Sequence, residues 1–133
     1  MSAHEGYKLR GARLWDIRAI RRLEIAIFPR DAYSYFDLSL LFLLPRMVNL
    51  KVVAPDGSLA GFVSGMRSRQ HGWIITLGVD QAHQRQGLGR WLLSEAEDRL
   101  KKSTVRLTVR HSNTPAITLY RHTGYRIVMH KPG

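Results

Sequence analysis

The residues best placed to do chemistry lie between Gln84 and Arg90. The run Gln84-Arg85-Gln86-Gly87-Leu88-Gly89-Arg90 follows an apolar segment, Trp73-Ile74-Ile75-Thr76-Leu77-Gly78-Val79-Asp80, and precedes an amphipathic one from Trp91 to about Lys102. A strand feeding a glycine-rich turn feeding a helix N-terminus is an arrangement that holds a pyrophosphate. Free backbone N–H groups and the positive end of the helix dipole face the anion, and glycine lets the phosphates come close to the chain. Other chemistry is poorly provided for. The chain has no cysteine, so it offers no thiol nucleophile, disulfide framework or cysteine-based metal site. Its histidines show no ligand spacing with a carboxylate, and no metal is expected.

Several phosphate loops compete for this pattern. A Walker loop needs Gly-Lys-Ser/Thr, whereas Gly89 is followed by Arg90-Trp91. A dinucleotide fingerprint needs three glycines and an acid at the end of the next strand. Here the glycines are spaced Gly-x-Gly and the strand after the helix ends in Arg110-His111. What remains is Gln84-x-x-Gly87-x-Gly89 behind an apolar strand.

The elements that position this loop follow from hydrophobic spacing. At 133 residues the chain is expected to be a single domain, residues 1–133. Tyr7 to Arg13 alternates like an opening strand. Asp16 reads as an N-cap, with Ile17, Ile20, Leu23 and Ile27 on one face of a helix that stops at Pro29. A second helix is expected from about Asp37 to Pro45. Leu50–Ala54 and Leu59–Arg67 read as a hairpin around the turn Pro55-Asp56-Gly57-Ser58, and Arg69 to Gly72 turns into the strand at Trp73. In the helix after the loop, Leu92, Ala96 and Leu100 face the sheet, while Glu95, Glu97 and Asp98 lie outward. Thr104–Val109 alternates as another strand. Thr114-Pro115 opens a short helix ending near Gly124, and Tyr125–Met129 reads as a last strand. The order β-α-α-β-β-β-α-β-α-β predicts an α/β fold, a mixed sheet with helices on both faces. Trp15, Trp73 and Trp91 are expected to be core or partly exposed packing residues.

Leu38 to Leu44, the most apolar stretch, is far too short to span a bilayer, and the first residues lack a signal-peptide run. A cytoplasmic, soluble protein without a membrane partner is expected. The net charge of +11 is carried mainly by arginine scattered from Arg10 to Arg126. It fits general surface charge, affinity for nucleic acid or ribosomes, or attraction of a polyanionic cofactor.

A second block stands downstream in the order a known family uses. Gln84-x-x-Gly87-x-Gly89 resembles the acetyl-CoA-binding motif of the GCN5-related N-acetyltransferases (GNAT). Asn113-Thr114-Pro115-Ala116-Ile117-Thr118-Leu119-Tyr120-Arg121-His122-Thr123-Gly124-Tyr125 is similar to that family's later Asn-x-x-Ala-x-x-Leu-Tyr-x-x-x-Gly-Phe/Tyr block. The resemblance implies the acyl-CoA N-acyltransferase fold, shortened at the C-terminus, with acetyl-CoA (coenzyme A) as cofactor. By it, Leu77, Gly78 and Val79 hold the acetyl carbonyl and pantetheine arm through backbone groups. Gln84, Arg85, Gln86, Gly87, Leu88, Gly89 and Arg90 form the pyrophosphate loop, and Asn113 contacts the cofactor. Tyr120 becomes the catalytic acid whose phenol protonates the departing thiolate, a role that suits attack of an amine on a thioester.

Among its branches the chain most resembles ribosomal-protein and other protein N-terminal acetyltransferases. Their strand before the asparagine reads roughly Leu-x-Leu-Glu-Val-Arg-x-Ser-Asn, against Val105-Arg106-Leu107-Thr108-Val109-Arg110-His111-Ser112-Asn113 here. Thr108 stands where that branch keeps a glutamate base. A threonine hydroxyl takes no proton at neutral pH, so water, a neutral amine, His111 or Glu24 must serve. Phe28-Pro29-Arg30-Asp31-Ala32-Tyr33 is similar to the acceptor segment of such enzymes, which makes Phe28, Pro29 and Tyr33 candidate substrate-binding residues. A proline helix stop with core-capping aromatics is the other reading. After Met129 only His130-Lys131-Pro132-Gly133 remains, where the family finishes with a further strand. An unpaired edge invites a homodimer.

The resulting expectation is an acetyl-CoA-dependent N-acetyltransferase acting on a primary amine, with a protein N-terminus, as of a ribosomal protein, favoured. A small-molecule amine as acceptor stays open. So does a catalytically silent domain that binds acyl-CoA or associates with nucleic acid.

Overall fold

The computed structural model describes residues 6–29, 32–107 and 114–126. In chain order the elements are β1 (Lys8–Gly11), α1 (Ile17–Ile27), α2 (Tyr35–Leu43), β2 (Met47–Val53), β3 (Leu59–Arg67), β4 (Gly72–Val79), α3 (Leu88–Leu100), β5 (Val105–Leu107) and α4 (Thr114–His122). The described strands form one mixed sheet in the order β1-β2-β3-β4-β5. The first three pairings are antiparallel, and β5 joins β4 in parallel, Gly72 opposite Val105. The parallel step needs a crossover, which α3 supplies. Among the described residues no helix is long and apolar enough to cross a membrane.

The helices cover both faces, as the element order predicts. On one face Leu92, Ala96 and Leu100 of α3 are fully buried against Val52, Ala60, Val63 and Ile74. On the other, Ile20 and Leu23 of α1 and Leu38 and Leu41 of α2 close over Phe62. Each fully buried leucine contributes roughly 1.5–3 kcal/mol of burial free energy.

Several local expectations are corrected. Asp16 does not cap α1 with its side chain. A 3-10 turn, Leu14–Asp16, precedes the helix, and Asp16 Oδ2 accepts from the Arg13 N–H at 2.8 Å while Oδ1 accepts from Lys51 Nζ at 2.8 Å. An acid in the third position of a turn closes back onto the residue before it. That turn is held by polar contacts rather than burial, and Trp15 is 80% exposed, against the expectation of a packing residue. Trp73 and Trp91 are half-buried. The second helix starts at Tyr35, ahead of Asp37, because Ser34 Oγ accepts from the Asp37 N–H at 3.1 Å. β2 opens at Met47 rather than Leu50. α3 opens at Leu88, a turn before Trp91, so the end of the expected loop is already helix. Glu97 does not face outward: it is half-buried, accepting at Oε2 from the Tyr125 hydroxyl at 2.6 Å. Tyr125 and Arg126 lie in no described strand, and the rest of the expected last strand lies outside the described residues, as do Thr108 and Val109.

A one-residue irregularity in β4 matters for the site. Ser64 pairs with Thr76 but Gly65 pairs with Ile74, so Ile75 is an extra residue on β4. Ile75 packs into the α1–α2 core, and Thr76 also turns to α1, where its hydroxyl meets Glu24. A regular strand would send one of the two to the opposite face.

Candidate active site

β4 ends at Val79, where the Asp80 N–H donates to the Ala60 carbonyl at 2.8 Å and ties the turn to β3. A 3-10 turn, Gln81–His83, follows, with His83 Nδ1 hydrogen-bonded to the Tyr7 hydroxyl at 2.9 Å. Gln84 reaches back, its Nε2 donating to the Val79 carbonyl at 3.1 Å. Arg85 (φ 66°) and Gly87 (φ 78°) both take left-handed backbone. At Gly87 the missing Cβ makes that conformation cheap.

α3 then begins with no side-chain cap and no acidic residue in its first turn. The N–H groups of Leu88, Gly89 and Arg90 precede the first intrahelical donor, the Trp91 N–H bonded to the Gly87 carbonyl, so they and the dipole offer positive charge that no acid of the first turn offsets. Leu88 is buried and anchors the turn, while Arg85, Gln86 and Arg90 are exposed. Backbone donors ringed by arginine suit a diphosphate. A Cβ on Gly89 would lie 3.3 Å from Leu119 Cδ2, so α4 stands directly beside the loop.

On α4, Tyr120 packs partly buried against the α3-side core, its ring 5.7 Å from that of Tyr125. Desolvation pushes its hydroxyl up to about 12, so it stays protonated at neutral pH. Burial also raises Tyr125, helped by its hydrogen bond to the Glu97 carboxylate and by that charge. Asn113 and His111 lie outside the described residues.

The opposite side of β4 meets α1. A Cβ on Gly78 would stand 2.7 Å from Ile27 Cδ1 and 3.8 Å from Phe28 Cε2, so only glycine admits this approach without a shift. Phe28 is half-buried and Pro29 exposed. Tyr33 is half-buried, and its hydroxyl donates to the Ile75 carbonyl at 3.4 Å. Glu24, 3% exposed, accepts from Thr76 Oγ1 at 2.8 Å and from the Tyr33 N–H at 3.3 Å. Burial raises the Glu24 carboxyl above its ordinary value, against the opposing pull of Thr76, Tyr33 and Arg21. The Arg21 guanidinium donates to the Tyr33 carbonyl and lies 5.5 Å from the centre of the Tyr35 ring.

Of the residues singled out by sequence, Val79 meets the Gln84–Arg90 loop through Gln84, Gly78 lies against Ile27 and Phe28, and Leu77 packs on the α3-side core. Thr76 and Arg21 escaped sequence reasoning. The available signal was Glu24 itself, an acid one helical turn after Ile20 within the apolar stripe of α1. Among the described residues no cluster of His, Asp and Glu is arranged to hold a metal ion.

Comparison with known proteins places this geometry. Residues 15–125 match the model of the Acetyltransferase (GNAT) family. An N-alpha-acetyltransferase of Sulfurisphaera tokodaii is 27% identical over 138 residues, covering 92% of this chain and 81% of that protein. The [ribosomal protein bS18]-alanine N-acetyltransferase of Escherichia coli K12 is 38% identical over 83 residues, 60% of this chain and 55% of that protein. The crystal structure of the E. coli ribosomal-protein-S18-alanine N-acetyltransferase superposes with a TM-score of 0.82 at 26% identity, covering 92% of this chain and 79% of that one. With a helix-flanked mixed sheet and a family match over residues 15–125, the chain belongs to the GNAT family of acetyltransferases.

Proposed function

We propose that this N-acetyltransferase draws its acetyl group from acetyl-CoA and delivers it to the α-amine of a protein N-terminus, a ribosomal protein being the favoured source. One observation carries the reading. At Gly78 and Val79 the end of β4 touches Ile27 and Phe28 of the acceptor side and, through Gln84, the phosphate loop. A thioester supplies the activated acetyl group, and its CoA portion carries the pyrophosphate that the loop suits. The names of the S. tokodaii and E. coli relatives describe α-amine acceptors, which supports the same class here. A cytoplasmic setting goes with that acceptor.

The chain's own groups divide the work. Backbone N–H groups at Leu77 to Val79 polarise an acyl oxygen. As the C–N bond forms the amine must lose a proton, and as the C–S bond breaks the sulfur must gain one. Tyr120 is the donor for the sulfur, kept protonated by its burial. Thr108 takes no proton, so the amine's proton leaves to water or His111, or the amine arrives neutral.

Calorimetry with acetyl-CoA, followed by thiol-release assays on N-terminal peptides and small amines, tests this. Binding with turnover of peptides is the expected result. Turnover of small amines alone overturns the acceptor, binding without turnover of anything overturns the enzyme, and absence of binding removes the cofactor.

A further inference from the structure

Glu24 sits in the apolar stripe of α1 with 3% of its surface exposed, and no ion pair among the described residues includes it. A carboxylate in that place costs free energy that a leucine or methionine would not. Its partners show what it does there. Oε2 accepts from Thr76 Oγ1 on β4, and Oε1 accepts from the main-chain N–H of Tyr33. Thr76 faces α1 only because Ile75 is an extra residue in its strand. Arg21, three residues before Glu24 on the same helix, donates to the Tyr33 carbonyl. Both main-chain polar groups of Tyr33 are therefore held by α1, and its hydroxyl is held by β4 at Ile75.

We propose that Glu24 is a positioning residue for the acceptor: its carboxylate locks Tyr33 against β4 beside Phe28 and so shapes the entrance through which the amine reaches Gly78. Both of its oxygens are occupied, so it acts through Tyr33 and Thr76 and does not touch the amine. The proposal rests on the α-amine acceptor reading given above. It goes beyond the phosphate loop and Tyr120 in assigning acceptor affinity to a buried residue on α1.

Steady-state kinetics with an N-terminal peptide and acetyl-CoA, alongside amide hydrogen exchange at Tyr33, tests it on the full chain. Glu24→Ala is expected to raise the peptide KM about tenfold or more, with the acetyl-CoA KM within about twofold, and to speed Tyr33 exchange about tenfold. Glu24→Gln, able to accept from the Tyr33 N–H and bond to Thr76, recovers most of both losses. Thr76→Val, which removes one of the two bonds, falls between and serves if the alanine variant does not fold. Equal rises in both KM values, unchanged Tyr33 exchange, or a glutamine variant as impaired as the alanine would each overturn the proposal. Exchange needs no turnover, so a wild-type protein that acetylates no peptide defeats the functional reading while the Tyr33 amide still decides this one.

Discussion

Desolvation on α4 pushes the Tyr120 hydroxyl up to about 12, above the 10 of an ordinary phenol. Folding therefore favours the protonated form. The stabilisation from the buried neutral phenol is fully present below about pH 10 and is lost as pH rises through about 12. As a proton donor the residue should show no alkaline limb in the pH–rate profile below about pH 10. Tyr120→Phe keeps the ring and removes the proton. We expect kcat to fall by about 100-fold or more, with the acetyl-CoA KM changed only slightly, as steady-state kinetics would show. Glu24 titrates in the same sense for stability, but in the acid range. Its carboxyl is raised from 4.5 chiefly by burial, so its charge costs stability at neutral pH and that cost vanishes below 4.5. Thermal melts of Glu24→Gln should run about 2–5 °C above wild type near pH 7, with the gap closing as pH falls towards the ordinary glutamate value.

Among the elements, β4 organises the site, because α1 approaches one face of its final residues and α3 grows from its end. The approach is close: a Cβ on Gly78 would meet Ile27 Cδ1 at 2.7 Å. Gly78→Ala must displace the Ile27 Cδ1 methyl, at a cost of about 0.5–1.5 kcal/mol, and should lower peptide kcat/KM more than it raises the acetyl-CoA KM. Adding Ile27→Val removes the offending methyl and is expected to restore most of the stability in denaturant melts. Recovery of stability without recovery of peptide kcat/KM would show that Ile27 itself matters to the acceptor side.

For the molecule as a whole, 21 Lys and Arg against 10 Asp and Glu leave a net charge of +11. The ion pairs among the described residues join Lys51 to Asp16 and Arg99 to Glu95, and Arg85 and Arg90 stand exposed on the glycine loop. Such a field concentrates a polyanion near the loop and is screened by salt over a length of about 10 Å at 0.1 M. The acetyl-CoA KM should rise several-fold between about 0.05 and 0.5 M salt, while the KM of a neutral-to-basic peptide changes little or falls. A salt-independent acetyl-CoA KM would assign the cofactor's affinity to local hydrogen bonds alone.

How much was legible in the residues depends on how local each feature is. The glycine turn could be read directly, since the glycines that permit it are part of one consecutive run. The bounds of β3 at Leu59–Arg67 and the start of α4 at Thr114 were equally readable, because turn residues and a proline mark them. The start of α3 was misread by a turn, because its cap is a left-handed glycine rather than a side chain. The Glu24–Thr76–Tyr33 cluster was beyond local reading. Glu24 and Thr76 are 52 residues apart, and they meet only because the extra residue Ile75 turns Thr76 onto the face of α1. Side chains alternate along a strand, so one inserted residue reverses which face every later position serves. By itself the sequence determined the glycine turn that opens α3, because its residues are consecutive; only the packing of α1 on β4 decided which buried groups meet across that interface, because they come from distant parts of the chain.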